Sequence, residues 1–496
     1  MSQEKSAVVS SSEHQSPLPT TRGRSENAQS QAPELERRIG LSASFSIITG
    51  SMLGIGIFLA PGLAAKHINT SGLFLGAWIF TGMVALAGAS IYGKLGVMMP
   101  KSGGDYVFHR EAFGPSVAFA YGWGLISAAF AGSLAAMSVA LCTFQLQPLL
   151  GLPGGQLFSA VILGFEITVN WAQIWAIGLI CVITLINSYG LEISARLQEM
   201  MAYIPLAALF LICGYLFTCD PIHHPESAHA AAVHKEGWDL SGVSTAFLDI
   251  YFAYSGWNAI IYIAGEVKQP KRNIPIALIG GTISVMCLYL FFCAAALHFL
   301  GLEGLAHYID IGGGIAKELG GGGISTGMTL LVTIALLASL NATVIGGGRV
   351  AYMMARDGCF TRSASVLSDR HKTPINALWI LAFIASLIAL FVPYETIFSF
   401  ISLVMVAGGA ITAVSFYVIK RRAPDAESRA LSPADWVIPP LFIIASLSVI
   451  GVKVNDALQG KDQAFLSLMG LLIVILAFVS HSLWRRFKPQ QGSSRG

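Results

Sequence analysis

The sequence predicts an all-α polytopic membrane protein with twelve transmembrane helices. Three observations carry that expectation. Of the 496 residues 54% are hydrophobic and only 11% are charged, with a mean hydropathy of +0.66, whereas a soluble globular chain carries about 25% charge. The apolar residues gather in twelve runs close to the ~20 residues a helix needs to cross a bilayer. The basic residues sort by side: with both termini in the cytoplasm, only Lys66, Lys235, Lys317, Lys453 and Lys461 of the 30 Lys and Arg lie outside. Moving any one run in or out would spoil that asymmetry, so the positive-inside rule supports both the count and the orientation.

Taken in order, residues 1–33 are rich in Ser, Gln, Glu and Pro and have no apolar core for a signal peptide, so they read as a disordered cytoplasmic tail. The spans are expected near 40–66, 71–98, 115–147, 172–190, 196–218, 241–266, 274–300, 323–356, 375–392, 395–419, 435–454 and 463–486. Between the second and third, residues Lys101 to Gly114 read as a turn followed by a short amphipathic helix. The 148–171 stretch is a Gly-rich outer loop without Lys, Arg or Cys, and 301–322 is expected to fold as short helices over an outer vestibule. Residues 219–240 hold four histidines (223, 224, 229 and 234) with no Cys or carboxylate at ligand spacing, which reads as a solvated linker rather than a metal site. Seven cysteines lie mostly in apolar runs, with no CxxC or Cys/His pattern, and read as packing residues. Neither a metal nor a cofactor is called for. The net charge of +3 does not point to nucleic acid, because the basic residues sit at helix ends.

Two spans are interrupted. Phe247 to Pro275 begins as an apolar helix, meets Ser255-Gly256-Trp257-Asn258 in its middle, resumes, and ends on Lys268, Lys271 and Arg272. The first span carries Gly50-Ser51-Met52-Leu53-Gly54-Ile55-Gly56. Unwound backbone at bilayer depth is tolerated only where it is buried in protein or lines a cavity, and two Gly-interrupted spans in corresponding positions of two halves point to a transporter binding site. Other classes lack their signatures: no G-x-S-x-G or H-E-x-x-H for an enzyme, no Walker A for direct use of ATP, and no repeated pore loop for a channel.

Several stretches resemble the amino acid–polyamine–organocation superfamily, and within it the L-amino acid transporter branch. Gly54-Ile55-Gly56-Ile57-Phe58 with Pro61 is similar to the G-S-G-I-F…P motif of the family's first helix. Pro100-Lys101-Ser102-Gly103-Gly104-Asp105-Tyr106 resembles the loop after its second. Phe252 to Asn258, Glu266 and Lys271-Arg272-Asn273-Ile274-Pro275 resemble its sixth; Leu340-Asn341-Ala342, Arg349 and Ala355-Arg356-Asp357-Gly358 resemble its eighth. The resemblance covers roughly 37–420. It implies a transport core of ten spans there, built as a five-plus-five inverted repeat with discontinuous helices 1 and 6. Spans 11 and 12 (434–487) and a cytoplasmic tail (488–496) lie outside that core. It further implies secondary transport of amino acids across a cell membrane by alternating access.

An amino acid presents a carboxylate and an ammonium group. The amides at the start of the half-helix near Gly56 suit the carboxylate, and Gly54 and Gly56 keep Cβ atoms out of its way. The carbonyls near Phe252, Ala253 and Ser255 suit the ammonium. Ile55 stands where the family has Ser, which removes a hydroxyl but keeps the amide. The substrate-binding set is therefore Met52, Gly54, Ile55, Gly56, Phe252, Ala253, Ser255, Gly256 and Asn258, with the pocket extending toward Asn341 and Thr343. Asn258 has open roles: touching substrate, or capping the second half-helix or holding the break open. The resemblance makes Phe252 an outer gate. Asp249 reads as a gate carboxylate in a wet vestibule, with a proton relay or a pocket-facing position as alternatives. Glu266 is expected to pair with Lys or Arg in the inner gate. This mostly apolar set favours neutral L-amino acids; a cationic amino acid or polyamine antiporter, or proton-coupled uptake, is the alternative. Relatives that need a heavy chain carry a Cys between spans 3 and 4, absent here, so no disulfide-linked heavy chain is expected. Pro205 aligns where some relatives place a coupling Lys, which points to Na⁺-independent exchange.

Overall fold

A computed structural model of the chain describes residues 35–162, 165–222, 240–392, 394–424, 429–460 and 462–487. The expected tails at 1–33 and 488–496, the four histidines from His223 to His234, and Lys235 and Lys461 lie outside the described residues. Within them, apolar runs become helices, the conformation in which a segment satisfies its own backbone away from water. In chain order these are α1 (Leu41–Met52), α2 (Gly56–Ala65), α3 (Ser71–Met98), the short α4 (Asp105–Phe113) and a long α5 (Pro115–Leu150). After them come α6 (Trp171–Ser188), α7 (Leu191–Leu216), α8 (Leu240–Ala253), a 3₁₀ segment α9 (Ala259–Glu266) and α10 (Pro270–His307). The chain continues through α11 (Ile311–Glu318), α12 (Gly323–Arg356), α13 (Ile375–Phe391), α14 (Tyr394–Arg421), α15 (Pro433–Leu458) and α16 (Asp462–Phe487).

Nine helices among the described residues are long and apolar enough to cross a membrane, counting Leu41–Ala65 as one. Ile375–Phe391 and Gly470–Leu483 are shorter apolar helices. The run at 241–266 is divided into α8 and α9, so neither half alone has spanning length.

The all-α expectation fails in one place. Within the 148–171 loop, β1 (Gln156–Ile162) pairs antiparallel with β2 (Phe165–Asn170), Gln156 lying opposite Asn170. Phe, Val, Ile and Thr dominate both strands, which is strand chemistry, and the Gly-rich flank masks it. Asn170 then caps α6 in a capping box with Gln173. Lys453, at the outer end of the expected span 435–454, lies inside α15 and is buried, with Nζ donating to Thr245 Oγ1 of α8 at 2.8 Å.

The interrupted pairs α1/α2 and α8/α9 occupy the interior. α2 packs along α8 and α1 against α7, α10 and α12. A buried amide chain ties these helices together: Asn187 of α6 donates to Asn341 Oδ1 at 2.8 Å, and Asn341 Nδ2 donates to Gln198 Oε1 of α7 at 2.7 Å. Gln198 Nε2 reaches the Ser46 carbonyl of α1 at 3.4 Å. Asn341 thus belongs to this packing network and not to the pocket where the sequence reading placed it. The reason is helical phase: on α12 it points toward α7, while Ser339 and Thr343 point toward the breaks.

Candidate functional site

Both interruptions are real breaks in the helices. α1 stops at Met52 and α2 restarts at Gly56; α8 stops at Ala253 and α9 starts at Ala259. Among the described residues the amides of Ile55, Gly56 and Ile57 have no backbone acceptor, while Phe58 and Leu59 N–H both return to the Ile55 carbonyl. Those orphan donors are the start of α2 and carry its positive dipole end. In the second break Ser255 N–H bonds the Phe252 carbonyl at 2.9 Å, and Gly256 turns the chain with φ +97°.

The two breaks touch each other. A Cβ at Gly56 would fall on the Ala253 backbone, and one at Gly256 would lie 2.5 Å from Ser51 Oγ. Gly54 is looser, with its missing Cβ facing Ser339 Oγ at 3.0 Å. Tyr289 of α10 bridges the pair: its hydroxyl meets the carbonyls of Met52 and of Ala253, the latter at 3.2 Å. Part of the carbonyl set expected to take an ammonium is therefore held by a tyrosine hydroxyl here. Sequence reasoning missed Tyr289, which sits in an otherwise ordinary apolar helix with no motif around it.

A cavity of about 60 Å³ lies beside the second break. Of the expected site residues, Phe252, Ser255, Gly256 and Asn258 line it, whereas Met52, Gly54, Ile55, Gly56 and Ala253 are not in its wall. Met52 and Ile55 are buried in the packing around the first break. Ser51 contributes from that break, and Ser339, Thr343 and Gly346 from α12, with Thr343 expected and the others not. Tyr262 of α9 and Met405 of α14 complete one side. The other is built by Phe130, Ser133 and Met137 of α5, where Leu125–Gly132 is π-helical. A π-bulge shifts the register of a helix and is frequent at functional sites, but composition carries no signal for it. No lining residue carries a charge.

The candidate gate residues lie around this cavity. Phe252 is half-buried and packs on an apolar cluster that includes Ala135, Val139, Cys142 and Ile401. Asp249 is absent from the cavity wall, and the ion pairs among the described residues do not include it. Glu266 pairs with Arg349 of α12 through two contacts, Nε–Oε1 at 2.9 Å and Nη2–Oε2 at 3.3 Å, with both side chains buried. Around that pair the Arg38 and Ile39 amides bond the Glu266 carbonyl at 2.8 and 2.9 Å, and Lys268 N–H returns to Ile39 O at 2.8 Å. Asp357 receives Arg110 and the Tyr106 hydroxyl on the same side. These ties close the Arg-rich end of the helix bundle.

A cavity beside two broken helices, lined by hydroxyls, an amide and apolar groups, suits a small polar ligand and has no nucleophile–base pair in its wall. Comparison with known proteins agrees. The chain resembles Asc-type amino acid transporter 1 of Homo sapiens, with 27% identity over 451 residues, covering 88% of this chain and 83% of the relative. It resembles the large neutral amino acids transporter small subunit 2 of Homo sapiens at 25% identity, covering 79% and 71%. The b(0,+)-type amino acid transporter 1 of Homo sapiens is 24% identical, with 85% and 84% covered. The model of the amino acid permease family matches residues 39–480, nearly the whole helical part with both breaks inside it, and the chain belongs to that family.

Proposed function

We propose that this amino acid transporter carries neutral L-amino acids by alternating access, exchanging one for another across a cell membrane. The observation that carries the reading is the uncharged cavity wall beside two helix breaks, one presenting the unpaired amides of Ile55, Gly56 and Ile57. The carboxylate docks at those amides. The ammonium is taken by carbonyls of the second break once Tyr289 yields, and Ser255 and Asn258 fix the orientation. Phe252 closes the outer side, and Glu266 with Arg349 closes the inner. The cationic alternative would need an acid in the cavity wall, and Asp249 is not among its lining residues.

The fold behind this cycle has twelve spans, the ten of residues 37–420 forming a five-plus-five inverted repeat and the last two packing outside it. Both termini are cytoplasmic. Na⁺ independence is supported by the surroundings of Gly50, where Gln198, Ala202 and Ala338 fill the space beside α1. The protein works without a disulfide-linked heavy chain, because the loop joining α5 to α6 has no Cys.

Purified protein in proteoliposomes tests the whole reading. Uptake of radiolabelled amino acid is compared in Na⁺ and K⁺, with and without internal substrate, against a competition panel. Strong stimulation by internal neutral amino acid is expected in both salts. Uptake into empty vesicles that requires Na⁺ or an inward H⁺ gradient, or competition by lysine and polyamines alone, would overturn it.

A further inference from the structure

The loop between α3 and α4 grips one residue of the cavity wall at three points. Gly103 N–H donates to the Tyr262 carbonyl at 2.9 Å. Gly104, with φ +56°, lies so close to the Tyr262 ring that a Cβ would fall on it. The Tyr262 hydroxyl donates to Asp105 Oδ2 at 2.6 Å. From the cavity, Asn258 Nδ2 donates to the same hydroxyl at 3.1 Å.

Asp105 is buried and ends two chains of donors. Tyr92 of α3 donates to Oδ1, and Thr412 Oγ1 of α14 donates to Oδ1 at 2.6 Å. The Thr412 proton is thereby used, so its contact to His109 Nε2 at 2.8 Å is donated by the histidine. Burial alone holds the His109 imidazole down at about 3, so it is neutral. The ion pairs among the described residues do not include Asp105. Tyr92, Tyr121, Tyr251, Tyr262 and Thr412 are the groups around it, with His109 behind Thr412, and none of them is a cation. Burial raises the Asp105 carboxyl above its usual range, while the three hydroxyls oppose that rise. Every proton in the network points at one carboxylate, an arrangement that falls apart if a single hydroxyl is withdrawn.

We propose that Gly103-Gly104-Asp105 is a clamp holding α9 closed at the Arg-rich end, and that Tyr262 is the residue through which the state of the cavity controls it. Tyr262 has its ring in the cavity wall, against Phe130 at 4.9 Å, and its hydroxyl in the clamp. Asp105 is a positioning residue that never meets substrate. A ligand that draws Asn258 toward itself alters the hydrogen bond shared with Tyr262, and the loop responds. The inference rests on the amino acid transport reading and assigns to it the element that couples occupancy to inner-side opening.

The test is Tyr262→Phe, which keeps the ring and removes the hydroxyl. A reporter, Ser133→Cys, is placed in the cavity wall of both proteins, and its labelling by a membrane-impermeant maleimide from the cytoplasmic face is read by peptide mass. Labelling without substrate is expected to rise about tenfold, the shift given by losing one hydrogen bond to a charged group. Net efflux without external substrate should rise about tenfold relative to exchange. Asp105→Asn should reproduce both effects and Asp105→Glu should reverse most of them. Unchanged labelling with an unchanged ratio, or net flux and exchange falling together, would overturn the clamp. An unaltered protein that moves no amino acid would sink the transport reading instead, while the labelling comparison still reports on the clamp.

Discussion

The two helix breaks look alike in the sequence and do different work. Both place glycines and small polar residues in an apolar run. The first, Leu53 to Ile55, is buried, and what it offers is backbone: three unpaired amides and a surface flat enough for another chain to lie on. The second, Tyr254 to Asn258, offers side chains, and five residues in or beside it line the cavity. Glycine serves the first by the Cβ it lacks at Gly56, where Ala253 sits. It serves the second by the positive φ of Gly256 that turns the chain. One break is a docking floor and the other is a wall.

If that division is right, Gly56→Ala should give the largest effect. A single methyl would strike the Ala253 backbone and part α2 from α8, so proteoliposome exchange should fall at least a hundredfold. Gly54→Ala, facing only the end of Ser339, should lose no more than about threefold. Comparable activity in the two would erase the distinction between floor and spacer.

The Glu266–Arg349 ion pair comes next. Arg349→Met leaves Glu266 buried without its partner, a loss of about 3–5 kcal/mol for a pair of this kind. The unfolding temperature of the detergent-solubilised protein should drop by many degrees. The double variant Arg349→Met/Glu266→Met should recover much of that drop, and failure to recover would show that the pair is not the unit.

Tyr289→Phe sharpens the comparison, since its hydroxyl touches both breaks. Two buried carbonyls would each lose a donor, costing about 1–3 kcal/mol. If the hydroxyl holds the site between substrates, turnover should change about tenfold with a smaller change in KM.

The smallest effect is expected at Ile55→Ser. The Ile55 side chain is packed away from the cavity, and in the proposed reading only its amide meets substrate, so exchange should stay within about twofold. A large gain in affinity would mean that a hydroxyl there reaches the substrate after all.

The sequence by itself determined the class of the molecule and the address of the site. Charge scarcity, run lengths and the placement of Lys and Arg require a helical membrane protein, because unpaired backbone and charge are costly in lipid. Breaks at 52–56 and 254–258 could be read directly, since glycine and small polar residues inside an apolar run are visible one residue at a time. Glu266 was legible as a charge needing a partner, but not which arginine would supply it. The membership of the cavity wall was decided only by tertiary structure. Phe130 lines it from the π-helical stretch of α5 and Ser133 and Met137 from the α-helical turns that follow, and Asn341 leaves it because α12 turns that position toward Gln198. The joining of Asp105 to Tyr262 lies in the same category, the partners standing 157 positions apart. A contact at that separation depends on how helices lie across one another, and helix phase over dozens of residues is set by packing rather than by local composition.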